Sequence, residues 1–322
     1  MTQDYPRLLG DIGGTNARWA WQKDANAPLE CIEVSPCSAS ASLRDSASSY
    51  LARHSLDQPR VASMGIATAV VGDLVEFTNN QWSFSITEFK AALRIQRCLV
   101  INDFTALALS LTALGPTDLK LFGGGPPAVN APLALIGPGT GLGVSGLFPN
   151  GRGGFVPISG EGGHVTLAAT DALEAAVLNH LQRQWGHVSA ERALSGPGLV
   201  NLYQALCVVE GCAAQDLRPE DISAAALAAN DPVCQKTVHL FTSFLGNVAG
   251  NLALTLGARG GVYLGGGIVP QLAGAFDSAL FRRKFEDKGR FGAYLHPIPV
   301  WLITASTPAL LGASRALDLL PE

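Results

Sequence analysis

Residues 8–21 read LLGDIGGTNARWAW. Apolar residues flank a glycine-rich centre at 10–14, a pattern that predicts a strand, a tight turn and a second strand. A similar unit lies at 133–143, where an apolar run leads into GPGTGLG. A third glycine-rich turn, GGG at 265–267, follows the apolar residues 262–264. The likeness of the first two units suggests an internal duplication.

These turns are candidate phosphate-binding sites, because glycine lets backbone N–H groups approach an anion closely. One such turn alone is more simply explained as a plain hairpin, whereas three favour phosphate binding. The sequence has no Gly-Lys pair, which excludes a Walker A loop. The dinucleotide-type match GLGVSG at 141–146 precedes a Pro-Asn-Gly turn at 149–151, so the helix that this motif needs cannot follow. Asp11, beside the first turn, is a natural position for a hydrated Mg²⁺ ion.

The composition excludes several classes of protein. The 322 residues fit two domains or one large one. Only 15% of the residues are charged and 48% are hydrophobic, which excludes a disordered chain. With 22 Lys and Arg against 26 Asp and Glu, the chain is not a basic nucleic-acid binder. The 36 glycines follow no three-residue period, so collagen is excluded as well.

The predicted location is the cytoplasm. Residues 1–7 contain no apolar signal stretch, and the six cysteines form no Cys-x-x-Cys pair, so reduced thiols without zinc are expected. Residues 237–258 lack charge and are long enough to span a bilayer. They include His239, Asn247 and Asn251, however, and therefore predict a buried helix of a soluble core rather than a membrane span.

Strands and helices alternate along the chain, which predicts an α/β architecture. Strands are predicted at 61–71 and 98–101, with Gly72-Asp73 as a hairpin turn leading into 74–77. Helices are predicted at 42–54, at 104–114, from an N-cap at Thr170, at 237–257, and from Thr307-Pro308 to the end of the chain.

Taken together, the motifs resemble those of the bacterial glucokinases, in the sugar kinase/actin-like superfamily, almost from end to end. The segments that carry this resemblance are 10–18 GDIGGTNAR, 78–84 TNNQWSF, 101–106 INDFTA, 139–143 GTGLG, 160–164 GEGGH, 186–192 GHVSAER, 194–199 LSGPGL, 265–270 GGGIVP and 285–291 FEDKGRF. The resemblance implies two α/β domains with ribonuclease-H-like cores that flank and close over an interdomain cleft. The first would contain residues 1–106 plus 308–322, and the second residues 107–307.

The resemblance also implies a function: transfer of the γ-phosphoryl group of ATP to the 6-hydroxyl of glucose, with Mg²⁺, by a homodimer. Glucose would be bound by Asn102, Asp103, Glu161, His164 and Glu191. The nucleotide would be bound by Gly10, Asp11, Ile12, Gly13, Gly14, Thr15, Asn16, Gly139, Thr140, Gly141, Gly265, Gly266 and Gly267, with the adenine near the last three. Two departures stand out. Residues 67–70 read ATAV where family members often have a proline, and the second phosphate loop lacks an acidic residue, which leaves Asp11 as the main candidate near the metal.

Asp103 is the predicted catalytic base, since phosphoryl transfer to an alcohol needs a carboxylate that accepts the hydroxyl proton. From spacing alone, Asn102 and Asp103 are equally well explained as the N-cap of the helix from Phe104. The family motif favours catalysis. The other glucose residues pair well with hydroxyl groups, which both donate and accept hydrogen bonds. Glu191 is alternatively a first-turn acid of a helix capped by Ser189.

Two further assignments stay open. Arg18 either neutralises phosphate charge or forms an ion pair with an acid such as Asp103. The nearest rival function is phosphorylation of mannose, fructose or an N-acetylhexosamine. A sugar-sensing regulator without catalysis is less favoured, because the first glycine turn begins at Gly10 and leaves no space for a preceding DNA-binding segment.

Overall fold

The computed structural model describes residues 4–68, 70–77 and 80–319. Ala69, Thr78, Asn79 and residues 320–322, all part of the predictions above, lie outside this range. In chain order the strands are β1 Arg7–Ile12, β2 Asn16–Gln22, β3 Glu30–Pro36, β4 Val61–Ile66, β5 Leu74–Glu76, β6 Ser83–Ser85, β7 Arg97–Asn102, β8 Leu119–Gly123, β9 Leu133–Pro138, β10 Leu142–Pro149, β11 Phe155–Ser159, β12 Gly261–Leu264 and β13 Val300–Ile303. The α-helices are α1 Leu43–Arg53, α2 Ile86–Ala92, α3 Asp103–Ser110, α4 Ala172–Trp185, α5 Gly196–Glu210, α6 Pro219–Leu227, α7 Pro232–Leu256, α8 Ile268–Leu272, α9 Ser278–Glu286, α10 Gly292–Leu295 and α11 Pro308–Leu319.

The chain divides into two compact units. The first comprises Met1–Gly115, Asn150–Ser159 and Ala305–Glu322, and the second comprises Pro116–Pro149 and Gly160–Thr304. The first unit therefore contains the predicted first domain and, in addition, residues 107–115, 150–159 and 305–307. The predicted α/β class is confirmed, because each unit combines a sheet with helices.

The sheet of the first unit has the strand order β3-β2-β1-β4-β7. Strands β1, β4 and β7 are parallel, whereas β1, β2 and β3 are joined as antiparallel neighbours. One face packs on α1 and α2 around Trp19 and Met64, and the other packs on α11 through Leu310 and Leu317. Strand β4 is buried along its whole length, as expected for an apolar central strand.

The strands of the second unit follow the order β10-β9-β12-β13-β8, in which β10-β9-β12-β13 repeats the order β2-β1-β4-β7 of the first unit and β8 is an antiparallel edge strand next to β13. Strands β9, β12 and β13 are parallel, and β10 pairs with β9 as an antiparallel hairpin, as β2 does with β1. Its core is larger and mostly helical, with α7 at the centre. The shared topology agrees with the duplication suggested by the two glycine-rich units. None of the helices in the described residues is both long and apolar enough to cross a membrane.

Four sequence-based boundaries were wrong. Strand β4 ends at Ile66, and α3 ends at Ser110 rather than at 114. The Gly72-Asp73 pair precedes β5 instead of forming a hairpin turn, and the Asp73 carboxylate accepts the Thr87 N–H at 2.9 Å. The N-cap of α4 is Asp171, which accepts the Glu174 N–H at 2.9 Å, because the hydroxyl of Thr170 donates to the Glu174 carboxylate instead.

Candidate active site

The first glycine turn connects β1 to β2 and is held by short-range backbone bonds. Gly10, Asp11 and Ile12 lie on β1, and Asn16 begins β2. The Gly13 N–H donates to the Asn16 carbonyl at 2.9 Å, and the Cys37 N–H donates to the Thr15 carbonyl at 2.8 Å. Gly13 and Gly14 are partly exposed and Thr15 is exposed, so the tip of the turn is accessible.

Asp11 and Arg18 face each other across this hairpin, where their Cα positions are in register. Arg18 Nη1 lies 3.0 Å from Asp11 Oδ2. Burial raises the pKa of Asp11 above its usual value, and the Arg18 guanidinium offsets only part of that rise. The two alternatives for Arg18 were neutralisation of phosphate charge and an ion pair with an acid. The ion pair is present, and the acid is Asp11.

Asn102 and Asp103 lie at the carboxyl end of the parallel strands. Ile12, Ile66 and Asn102 are in register across β1, β4 and β7, so these strands end at the same edge of the sheet. This edge is where α/β sheets collect ligand-binding residues. Asn102 is the N-cap of α3: its Oδ1 accepts the Phe104 N–H at 2.9 Å and the Thr105 N–H at 3.3 Å. Asp103 is the first residue of α3 and is partly exposed. Asn102 therefore caps α3 through two N–H groups, and Asp103 Oδ1 also accepts the Phe104 N–H at 2.8 Å.

Two glycine turns of the second unit lie side by side. Gly139, Thr140 and Gly141 connect β9 to β10, with a bond of 2.8 Å from the Gly139 N–H to the Gly141 carbonyl. The residues Gly265, Gly266 and Gly267 follow β12, and the Gly265 N–H donates to the Ile136 carbonyl at 2.9 Å. Gly266 has φ +76°, and a Cβ at this position would lie 2.2 Å from the Pro138 carbonyl oxygen. Only glycine fits there.

The predicted sugar residues of the second unit lie on two short paired segments. Glu161 and His164 are both exposed; Glu161 directly precedes the 3₁₀ turn Gly162–His164, and His164 is its last residue. Glu191 lies in the 3₁₀ turn Ala190–Arg192. The Ala190 N–H donates to the Val165 carbonyl at 2.8 Å, which joins the two segments. Ser189 is at the N-cap position of this 3₁₀ turn but makes no side-chain capping bond, and Glu191 lies in the first turn, so the alternative for Glu191 holds for its position but not for a cap by the Ser189 side chain.

A buried polar network anchors the chain directly after this sugar segment, and it was missed in the sequence. Glu174 is fully buried, and its Oε2 accepts the Thr170 N–H at 2.6 Å. Lys284 Nζ lies 3.1 Å from Glu174 Oε1, and Ser243 donates to the same oxygen. Burial raises the pKa of Glu174, but hydrogen bonds from Ser243, Thr170 and Lys284 outweigh burial and leave the pKa below its usual value.

A sequence signal for this network does exist. Ser243 and Asn247 are polar and lie four residues apart in the buried, largely apolar middle of α7, and Lys284 and Lys288 have the same spacing near the end of α9. Asn247 donates to the Ala168 carbonyl at 3.2 Å and accepts a bond from Lys288. Paired polar residues on an apolar helix thus indicate a buried partner.

The model of the glucokinase family matches residues 8–319 of this chain. The chain belongs to the glucokinase family. The resemblance predicted from the sequence motifs is therefore confirmed, and the chain is an enzyme of that family.

Individual members of the glucokinase family match the chain over nearly its whole length. The glucokinase of Aromatoleum aromaticum is 51% identical over 315 residues, which cover 98% of this chain and 95% of that protein. The glucokinase of Chromobacterium violaceum is 48% identical, with 98% and 90% coverage. The crystal structure of a glucokinase from an Antarctic psychrotroph superposes with a TM-score of 0.89 at 35% identity, covering 97% of this chain and 98% of that one. The two-domain fold of the family is thus present here.

Proposed function

We propose that this protein transfers the γ-phosphoryl group of ATP to the 6-hydroxyl of glucose, with Asp103 as the general base. Membership of the glucokinase family supports the reaction. One structural observation supports the base: Asp103 is partly exposed at the first position of α3, where the parallel strands end, while Asn102 provides the helix cap. The Asp103 Oδ1 atom accepts the Phe104 N–H at 2.8 Å, and a carboxylate has about four acceptor sites, so it can hold this bond and still accept the hydroxyl proton.

The position of Asp103 suits this role for an electrostatic reason. A helix N-terminus favours negative charge, so the start of α3 stabilises Asp103 as the carboxylate that a base must be. The base orients the attacking hydroxyl and accepts its proton as the phosphoryl group is transferred. Most of the catalysis in phosphoryl transfer comes from such positioning and from charge stabilisation.

Glucose would be held by side chains that match its hydroxyl groups. A carboxylate accepts hydrogen bonds, and an amide both donates and accepts them. A neutral imidazole donates from one nitrogen and accepts at the other. The candidates for these groups are Asn102, Asp103, Glu161, His164 and Glu191. The exposure of Glu161 and His164 supports this assignment, because their polar atoms are accessible to a ligand.

ATP would bind at the glycine turns, and the residues present fit a magnesium nucleotide. A Cβ built on Gly139 would meet no described atom within 4 Å, which leaves this turn open to a phosphate group. Among the described residues, no cluster of three or more His, Cys, Asp or Glu residues could hold a metal by itself. This fits Mg²⁺, which keeps most of its waters and is bound through phosphates and one or two carboxylates. Asp11 would hold those waters, and the ion would neutralise charge on the phosphates.

We also propose a cytoplasmic homodimer, on the strength of the resemblance to the bacterial glucokinases. Sedimentation equilibrium of the purified protein tests the oligomeric state. A mass equal to one chain across the concentration range would exclude the dimer.

The central test compares Asp103→Asn with Asp73→Asn in a coupled assay of ATP-dependent glucose phosphorylation. Asp73 is a useful control because it also accepts an N–H at the start of a helix, at Thr87, and is exposed. We expect kcat of Asp103→Asn to fall by about 10³-fold or more, while Asp73→Asn retains wild-type kcat. Near-normal turnover in Asp103→Asn would rule out Asp103 as the base. A panel of glucose, mannose, fructose and N-acetylglucosamine tests the substrate, and a higher kcat/KM for a sugar other than glucose would refute that assignment.

A further inference from the structure

The backbone of Leu142 is a meeting point of the second phosphate turn and the sugar segments. Leu142 directly follows the turn residues Gly139, Thr140 and Gly141 and begins β10. Its N–H donates to Glu191 Oε2 at 2.8 Å. Its carbonyl oxygen would lie 2.1 Å from a Cβ on Gly163, so the turn between Glu161 and His164 packs directly against it. One residue next to the phosphate turn is thus in contact with both sugar segments.

The segment that carries Glu191 also holds the other end of the phosphate turn. The Gly196 N–H donates to the Gly139 carbonyl at 2.8 Å. Ser195 connects the Glu191 backbone to the start of α5: its hydroxyl donates to the Glu191 carbonyl at 2.8 Å and accepts the Gly198 N–H at 3.0 Å. Residues 191–196 therefore hold both ends of the turn, one through a carboxylate and the other through the backbone.

We propose that Glu191 positions the second phosphate turn as well as the sugar, so that glucose and the nucleotide strengthen each other's binding. This inference rests on the proposed function. A carboxylate has about four acceptor sites, so the bond to Leu142 leaves capacity for a sugar hydroxyl. A sugar bound to Glu191 restricts the carboxylate and, through it, the turn. The nucleotide then meets a preorganised turn, and the coupling acts equally in both directions.

Glu191 binds the phosphate turn through its side chain, and in this it differs from Glu161. The Glu161 backbone accepts a bond from His164 within its own turn, whereas the Glu191 side chain reaches 49 residues back along the sequence to the phosphate turn. If Glu191 served the sugar alone, its removal would leave nucleotide binding without sugar unchanged. If it positions the turn, its removal weakens nucleotide binding even when no sugar is present.

The test is calorimetric titration of Mg·ADP into the full-length protein, with and without glucose. In the wild type we expect tighter ADP binding when glucose is present. In Glu191→Ala without glucose, we expect ADP affinity to fall roughly tenfold, the effect of losing a hydrogen bond to a charged group. The matched control, Glu161→Ala, should lose glucose affinity but keep wild-type ADP affinity without sugar.

Glu191→Gln separates positioning from general stability. The glutamine carbonyl oxygen can still accept the Leu142 N–H, so ADP affinity without glucose should return to within about twofold of the wild type. Melting temperatures show whether each variant is folded. Wild-type ADP affinity in folded Glu191→Ala would overturn the inference, and so would a failure of Glu191→Gln to restore it. Unchanged glucose affinity in both Glu161→Ala and Glu191→Ala would instead refute the proposed sugar site, whatever the ADP result.

Discussion

The turn after β1 and the turn after β9 have similar sequences but are held in different ways. The first is held mainly through its own hairpin and the end of β3: Gly13 bonds to Asn16, Thr15 bonds to Cys37, and Asp11 pairs with Arg18 across the same hairpin. One backbone bond from further along the chain, from the Ala67 N–H to the Ile12 carbonyl at 3.1 Å, lies at the start of this turn. The second is held from a distance. The Leu142 N–H reaches Glu191, Gly139 is bound by Gly196, and Pro138 packs against Gly266.

This difference predicts how each turn responds to substitution. A locally held turn tolerates changes elsewhere in its unit, provided that its own hairpin is intact. A turn held by remote segments is sensitive to residues 50 or more positions away, and it can report the state of the sites that hold it. We therefore expect the first turn to be the more rigid and the second to be the one that responds to ligands.

The largest effect on stability and ADP binding should come from Gly266→Ala, which disturbs the second turn through a residue that is distant in sequence but packs against Pro138. The new Cβ would lie 2.2 Å from the Pro138 oxygen, and φ +76° is strained for alanine. Overpacking and strain together should lower the free energy of unfolding by roughly 2–4 kcal/mol and abolish measurable ADP binding. Gly139→Ala is the matched control for stability, since its Cβ meets no described atom within 4 Å. Urea unfolding measures the stability of both variants, calorimetry measures ADP binding to Gly266→Ala, and an equal loss of stability in the two variants would show that the contact between Gly266 and Pro138 does not support the turn.

Gly65→Ala should have the next largest effect, and it tests whether kcat depends on the close packing of α3 against β4. A Cβ on Gly65 would lie 2.9 Å from Ala106 Cβ and 3.3 Å from Asp103 Cα. Helix α3 must shift to accommodate it, and a shift of about 1 Å in a catalytic group costs on the order of 10² in kcat. We expect that loss in kcat with little change in ADP affinity. Ser63→Ala, on the same strand, is the control and should keep wild-type kcat. A Gly65→Ala enzyme that loses ADP binding instead of kcat would show that the first turn is not held independently.

Asp11→Asn should have an intermediate and unusual effect, because it is expected to stabilise the fold. The raised pKa of Asp11 means that the folded state holds this proton more tightly than the unfolded state. Stability therefore falls as pH rises from the ordinary aspartate pKa to the raised one, and the ionised carboxylate is a cost at neutral pH. We expect the melting temperature of Asp11→Asn to rise by on the order of a few degrees at neutral pH, with reduced kcat.

Below the ordinary aspartate pKa the wild-type carboxyl holds its proton in both the folded and the unfolded state, so the stabilisation by Asp11→Asn should disappear there. Thermal melts at the two pH values measure this difference. A variant that is less stable than the wild type at neutral pH would show that the Arg18 pair outweighs burial.

The smallest effect is expected for Cys37→Ala, at the residue whose backbone N–H binds Thr15 of the first turn. The buried Cys37 thiol contacts the Gly13 carbonyl at 3.5 Å, but the bond that holds the turn comes from the Cys37 backbone and is retained. We expect a loss of about 1 kcal/mol in unfolding free energy and an ADP affinity within about twofold of the wild type. Cys98→Ala, which removes an equally buried thiol from β7, is the control for lost packing. A tenfold fall in ADP affinity for Cys37→Ala alone would show that the side chain, not the backbone, holds the turn.

The sequence predicted the features that depend on local pattern. The two strand-turn-strand units, the position of Asp103 at a strand end and the buried nature of α7 all follow from residues that are close in the chain. The features that were missed or left open depend on distant pairs. The bond from Leu142 to Glu191 and the burial of Glu174 under Lys284 join residues 49 and 110 positions apart, and no periodicity encodes such contacts.

Some local details were also beyond the sequence because neighbouring residues compete for the same role. Thr170 and Asp171 can both cap α4, and Asn102 and Asp103 can both cap α3. Which residue becomes the cap depends on what else each side chain can bind. The Thr170 hydroxyl binds the buried Glu174 instead of capping α4. Asn102 lies one residue before Asp103, and at that position its oxygen reaches two N–H groups of α3. Propensity alone does not rank such pairs.

The attachment of α11 bears on the order in which the protein is made and folded. Arg7 Nη1 donates to the Ser314 carbonyl at 3.0 Å, and Arg97 Nη1 donates to the Leu317 carbonyl at 2.8 Å, so the first unit is closed by the last helix of the chain. During synthesis the N-terminal sheet emerges early but stays without this helix until residues 308–319 have been made. The second unit, which ends at Thr304, can fold before the first. The unit whose synthesis begins first is therefore completed after the other, and its sheet face around Leu9 and Val61 stays uncovered until α11 packs on it.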